Sequence, residues 1–189
     1  MKNIVKTIAI TLLIATTSCN TEYLDPNSTL EPDVVNNTDN LVRLINGVQQ
    51  RWSTERTGLI YTGTHISGLN TDELRLLNPG NLGENEILLG GDDVSGSNEL
   101  LINTWTNALL TRKEATTVID AADNVSESTS VSGSLKAYGL FYRALAHGTL
   151  IQYFESIPIE IVEDADFIER SAVLDDVIAD LNEAKGYID

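Results

Sequence analysis

Apolar residues recur at helical spacing in four stretches of the chain. In the first, Leu41, Leu44, Ile45, Val48 and Trp52 follow one another at steps of three and four, which predicts an amphipathic helix over 38–54. The second, 98–125, places Leu101, Trp105, Ala108, Leu109, Ala115, Val118 and Ile119 on its expected buried side. The third, 135–154, reads LKAYGLFYRALAHGTLIQYF and is apolar almost all round, so it belongs in the interior of a helical domain. Its small residues Gly139, Ala144, Ala146 and Gly148 let neighbouring helices approach. The fourth, 172–188, aligns Leu174, Val177, Ile178, Leu181, Ala184 and Ile188, with Ser171 as the expected N-cap and Asp175 and Asp176 near the positive helix end.

Between these stretches the periodicity lapses. Residues 58–96 are rich in Gly and Asn, carry the Pro79-Gly80 turn signal and read as mostly loop. The run of Ser and Thr over 126–134 reads as a separator, and Pro158 with the acidic stretch to Asp166 interrupts the third and fourth helices. Long helices joined as hairpins predict an all-α fold of stacked, tetratricopeptide-like helix pairs with long irregular loops, although no repeat signature accompanies the pattern. The last helical pattern runs to Asp189 without a C-cap or polar tail, and the expectation is an incomplete domain that continues further.

The N-terminus has a different grammar. Lys2 and Lys6 precede an apolar run from Thr7 to Ala15, and small residues follow up to Ser18; residues 1–18 have the anatomy of a secretory signal peptide. A membrane-spanning helix needs roughly 20 apolar residues, and this run is less than half of that. Cys19, the one cysteine of the chain, comes next and has no partner for an internal disulfide. Thr16-Thr17-Ser18-Cys19 resembles a bacterial lipobox, with Thr16 in place of the usual leucine, which makes Cys19 the expected lipidation site. The alternative is an ordinary secretory cleavage that leaves an incidental thiol. Two or more acyl chains on such a cysteine tether a protein stably. Residues 19–37 are polar, hold two prolines and read as the lipidated linker to a helical domain over 38–189.

The formal charge is −16, and loss of Lys2 and Lys6 with the leader takes it to −18. That balance repels nucleic acid, whose binding needs a basic surface. Hydrophobic residues at 42% let the mature chain bury one core, and aromatics at 6% leave few rings for a stacking platform. Catalytic material is sparse. His65 sits in the loop-like region, and His147 falls inside the third helix with no carboxylate or second histidine at i±3 or i±4, so it reads as a core histidine with a satisfied hydrogen bond. No serine occupies a G-x-S-x-G elbow. The stretch GGDDVSGSNE tempts a calcium reading, yet with Asp92 at position one the third position is Val94, so it reads as an acidic loop ending in an N-cap near Ser97 or Asn98. NTDEL, residues 70–74, reads as a turn that begins a short helix. No enzyme activity, metal or cofactor is expected.

Four blocks carry a resemblance. They are Cys19 followed by EYLDP ahead of a helix with LINGV; the segment from Trp105 to Ala115; YRALAHGTLIQYFESIPI; and ERSAVLDDVIADLNEAKGYI. In order and spacing they resemble the N-terminal portion of the SusD/RagB family of outer-membrane nutrient-binding lipoproteins. Leu109 stands where family members usually show tyrosine, and Thr116 where asparagine commonly follows the alanine. The resemblance implies a SusD-like helical fold at the cell surface, tethered to the outer membrane through Cys19. It implies capture of an oligosaccharide or peptide nutrient and delivery to a SusC-like TonB-dependent transporter, without covalent chemistry. A sugar site needs aromatic faces with amide and carboxylate hydrogen bonds. Trp52 and Trp105 lie in register with apolar stripes and read as core, which leaves Tyr61, in a loop, as the candidate glycan contact. Two other classes stay open: a helical scaffold lipoprotein that organises envelope proteins without a small-molecule ligand, and a hydrolase, which would need a carboxylate pair in a cleft.

Overall fold

The computed structural model describes residues 35–54, 56–125, 128–160, 162 and 164–188; Cys19, the leader and residues 19–34 lie outside the described residues. The described residues form an all-α domain of six helices with one short β-hairpin. The first helix, α1 (Thr38–Ser53), starts where the Asn37 side chain accepts a hydrogen bond from the Asn40 amide, and Asp39 and Arg51 sit at the ends that match the helix dipole. Leu41, Ile45 and Val48 are buried, as the spacing predicts.

The region expected to be loop contains two helices, α2 (Leu59–Asn70) and α3 (Leu82–Leu89). Their composition hides them, because Gly and Thr have low helix propensity and α2 has no side-chain cap. Tertiary packing supplies what propensity lacks. The buried Thr104 hydroxyl donates to the Thr62 hydroxyl at 3.0 Å. Gly63 and Gly68 lie so close to Tyr153 and Leu74 that a Cβ at Gly68 would stand 2.6 Å from the Leu74 side chain. The turn 70–74 starts no helix: Asn70 ends α2 and Asp72 adopts φ 60°. Gly90 at φ 67° terminates α3, and Asp92 and Asp93 lie exposed in the 3-10 turn that follows.

Helix α4 (Glu99–Val125) begins at Asn98, whose Oδ1 accepts hydrogen bonds from the Leu100 and Leu101 amides. Helix α5 (Thr129–Tyr153) starts about two turns before the apolar pattern does, because Ser132 and Gly133 are buried against α4 and the C-terminal part of the chain instead of forming a separator. The two run antiparallel: Ser132 and Lys136 meet Asp123 near the turn, and Gly139 meets Ala115 and Ile119 further along. A Cβ on Gly139 would lie 2.6 Å from Ile119 Cγ1 and 2.9 Å from the Ala115 carbonyl oxygen, so glycine sets how closely these helices approach. Gly148, by contrast, faces open space. Of the expected buried side of α4, Ala108, Ala115 and Val118 are inside; Leu100, Thr104 and Thr111 join them, while Leu101, Trp105, Leu109 and Ile119 are only half-buried, so the stripe is turned partly away from the expected one.

Strands β1 (Ser156–Pro158) and β2 (Phe167–Glu169) pair antiparallel with Ile157 opposite Ile168, where the sequence predicts only an interruption. Helix α6 (Arg170–Gly186) follows directly, so Ser171 lies inside it rather than capping it. Val173, Val177, Asp180 and Ala184 face inward. The expected stripe is only partly buried: Leu174, Ile178 and Leu181 are 47%, 49% and 43% exposed, and Ile188 is exposed.

Candidate functional site

A cavity of about 580 Å³ opens where the start of α2, the first half of α3 and the start of α4 converge. A smaller one of about 180 Å³ adjoins it, and Arg56, Tyr61, Asn81 and Glu84 line both. Each of these residues is placed by a local rule. Tyr61 occupies the first turn of α2, not a loop, and its half-buried ring separates the two cavities. The Arg56 guanidinium, just before α2, donates to the Tyr61 hydroxyl from Nε at 3.2 Å and Nη2 at 3.1 Å. The His65 ring, one turn on, stacks on Tyr61 with centroids 3.8 Å apart. His65 Nδ1 lies 2.9 Å from the Tyr61 carbonyl; since the carbonyl only accepts, that nitrogen carries the proton. One face of Tyr61 is therefore already covered, and its hydroxyl is already engaged.

The carboxylates come from α3 and the start of α4. Glu84 is 5% exposed, yet its carboxylate accepts no hydrogen bond among the described residues; its nearest cation is Arg56, at 3.8 Å. Glu86 is satisfied, accepting from Asn98 Nδ2 at 2.8 Å and from the Ser95 amide at 3.3 Å. Asn98 thus caps α4 with its oxygen and ties α3 down with its nitrogen, which also donates to the Gly83 carbonyl. Glu99 reaches the cavity across Gly83, where a Cβ would stand 2.9 Å from Glu99 Cγ. The Arg56 guanidinium is held above its ordinary pKa, first by Tyr61 and then by the fields of Glu84 and Glu99. Among the described residues no cluster of His, Cys, Asp and Glu has the geometry to hold a metal ion.

The other sequence candidates are structural. Trp52 packs half-buried between two core clusters with Tyr142 at 6.5 Å, and Trp105 meets Phe154 edge-on at 4.8 Å. His147 is a core residue, as expected, at 3% exposed, but the expected hydrogen bond is not there: neither ring nitrogen has a partner among the described residues. Burial first, and the nearby Arg112 second, push its pKa down to about 4 against the opposing pull of Asp180. Arg112 donates to the Pro158 carbonyl, and Arg143 grips Asp180 through two hydrogen bonds of 2.8 and 2.7 Å. This group binds α4, α5, β1 and α6 together in the interior, shielded from ligand.

Sequence reasoning reached Tyr61 and, as a helix cap, Asn98, and missed Arg56 and Glu84. The signal for Glu84 required knowing that α3 exists. Among the described residues, no helix is long and apolar enough to cross a membrane. Compared with models of known protein families, with curated proteins and with solved structures, the chain matches none of them.

Proposed function

We propose that this chain is a SusD-like, lipid-anchored outer-membrane protein that captures an oligosaccharide nutrient in the cavity around Tyr61 and hands it to a SusC-like TonB-dependent transporter. The observation that carries the reading on the described residues is the cavity itself. About 580 Å³ holds a small saccharide, and its wall offers the Tyr61 ring edge, the carboxylates of Glu84 and Glu99 and the amides of Asn81 and Asn103. Sugar hydroxyls both donate and accept, so a wall of carboxylates, amides and a guanidinium satisfies them from both sides. The four resembling blocks, the lipobox-like Cys19 and the tetratricopeptide-like helix hairpins support the same reading.

The test is a mild-detergent pull-down of the tagged protein from outer membranes of the source cell, with mass spectrometry of every recovered chain. The expected result is a TonB-dependent barrel together with an acylated Cys19 peptide. A soluble protein with free Cys19 and no barrel refutes it. The scaffold reading has one observation in its favour: the exposed Leu174, Ile178 and Leu181 on α6 would suit a protein partner. It predicts barrel-free envelope complexes and no saccharide binding. The hydrolase reading has Glu84 and Glu99 in one cavity, and predicts new reducing ends when the protein is incubated with an oligosaccharide.

A further inference from the structure

Helix α5 is the middle of a three-helix layer, and its outward side carries no charge. Leu135 and Tyr142 pack into the core with α1, Ala137 and Leu140 pack with Ala184 of α6, and Gly139 touches α4. The sector left over, opposite α4, exposes Ser134, Tyr138 and Phe141. The two charged residues of the helix point elsewhere, Lys136 to Asp123 and Arg143 to Asp180. Both neighbours extend this neutral surface. On one side α1 and α5 border a groove of about 320 Å³, with Val42, Asn46 and Gln49 across from Val131 and Tyr138. On the other, Asp180 reaches the α4 side of α5, because Arg143 stands one turn after Gly139, so Leu174, Ile178 and Leu181 rise on the opposite flank, with Leu181 level with Phe141. The chain has 28 acidic and 12 basic residues, yet among the described ones none stands at the centre of this face; Arg170 and Lys185 mark only the two ends of the α6 stripe. Depletion of charge beside aromatic and aliphatic side chains is the composition of an interface core.

The face also holds both halves of a fit to itself. The groove lies along the N-terminal half of α5 and the apolar ridge of α6 along its C-terminal half, with Phe141 between them. We infer that two copies of this chain pair face to face through α1, α5 and α6, about a two-fold axis that lies in the plane of the face and crosses it at Phe141, so that the α6 ridge of each copy seats in the α1–α5 groove of the other. Such an isologous contact closes on itself and leaves neither ridge nor groove free to propagate. Three helices about 10 Å apart and about 25 Å long offer roughly 600 Å² per copy, or roughly 1,200 Å² for the pair, the lower edge of what a specific interface buries. A contact of that size is weak, with a dissociation constant on the order of 10–100 μM, so the stripe stands in water in dilute protein and is covered in concentrated protein. The centre of the face offers no charge to an oppositely charged partner, whereas the net charge of −16 makes two copies repel one another at low salt.

The inference is tested by sedimentation velocity of the mature-length chain, residues 19–189, in reducing buffer over a concentration series from about 1 to about 500 μM. The expected result is a monomer that passes to a dimer and stops there. Raising salt from about 0.01 to about 0.15 M should tighten the dimer several-fold, because the screening length falls from about 30 to about 8 Å and mutes the mutual repulsion. Ile178→Lys in the ridge and Val42→Lys in the groove, at positions 49% and 43% exposed in the single copy, should each weaken the dimer about tenfold or more while leaving the melting temperature of dilute protein in place. Leu77→Lys, 87% exposed and outside this face, should change nothing. With Cys19→Ser removing the native thiol, Phe141→Cys should oxidise to a covalent dimer, since the axis brings that position against its own copy. A monomer at every concentration overturns the inference. So does a dimer that salt weakens, that survives both lysine variants, or that Phe141→Cys does not trap. Equal loss of association in Leu77→Lys would mark general adhesion of exposed leucines, and open-ended oligomers would mark a head-to-tail contact; either outcome also overturns it.

Discussion

Between pH 6.5 and about 4, His147 takes up a proton in the unfolded chain but not in the folded one. Stability must then fall as pH falls across that window, because the unfolded state binds the extra proton. The loss begins as pH drops below 6.5 and is complete once it passes below about 4. A gap of about 2.5 units at 1.36 kcal/mol per unit amounts to about 3 kcal/mol. For a domain of this size that is a large share of the total. The cause is geometric: the buried ring has Arg112 from α4, Arg143 from its own helix and Asp180 from α6 near it, with no acceptor on either nitrogen among the described residues. Exposed carboxylates do not obscure it. Asp123 is held below its ordinary value by its hydrogen bonds to Lys136 and then Ser132, so its contribution is lost at lower pH than the His147 window. The assay is urea unfolding of a mature-length chain, residues 19–189, at closely spaced pH values, alongside His147→Leu. The variant removes two partnerless nitrogens, so it should be no less stable near neutrality. The stability of the wild type relative to the variant should drop by about 3 kcal/mol between pH 6.5 and 4. Parallel pH profiles for the two proteins would refute the reasoning, since they would mean that the ring is protonated or hydrogen-bonded in the fold.

Two glycines on one helix should respond in opposite directions. Gly148→Ala meets open space and should stabilise by about 1 kcal/mol through helix propensity, while Gly139→Ala drives a methyl into Ile119 and the Ala115 carbonyl and should cost about 2 kcal/mol; thermal melts read both. Arg143→Met strands the buried Asp180 and should cost about 3 kcal/mol in denaturant unfolding, and adding Asp180→Leu should restore most of it, because the pair is replaced rather than broken. Ile178→Lys should lower binding of a hydrophobic dye while moving the melting temperature little, because the side chain is already half in water.

The all-α class and α1 were legible because their signals are local: an Asn cap, a clean three-and-four spacing and end charges that fit the dipole. Helices α2 and α3 were not, because what holds them is distant in sequence. Thr62 finds Thr104, Gly63 finds Tyr153, and Asn98 holds the Gly83 carbonyl. The candidate site inherits this asymmetry. Tyr61 stands out as an aromatic in a polar stretch, but its environment depends on α3 folding back over the start of α4, which no local pattern announces. The same fold-back turns the acidic run around Glu84, Glu86 and Glu99 from a solvated surface into one wall of a cavity.

Helix α6 shows why apolar periodicity can choose the wrong face. Leu174, Ile178 and Leu181 make the more hydrophobic stripe, yet the helix turns Val173, Val177, Asp180 and Ala184 inward. A charged residue on the buried side is tolerable only with a partner, and Arg143 supplies one through two hydrogen bonds. Arg143 is itself held on α5, one turn before His147, and Arg112 reaches in from α4 to the Pro158 carbonyl. Rotating α6 to bury the leucines would withdraw Asp180 and leave two guanidinium groups facing one another in the interior. The polar cluster, not the apolar stripe, thus sets the rotation of α6. The exposed leucines follow from that choice, and they leave an apolar stripe of α6 in contact with water.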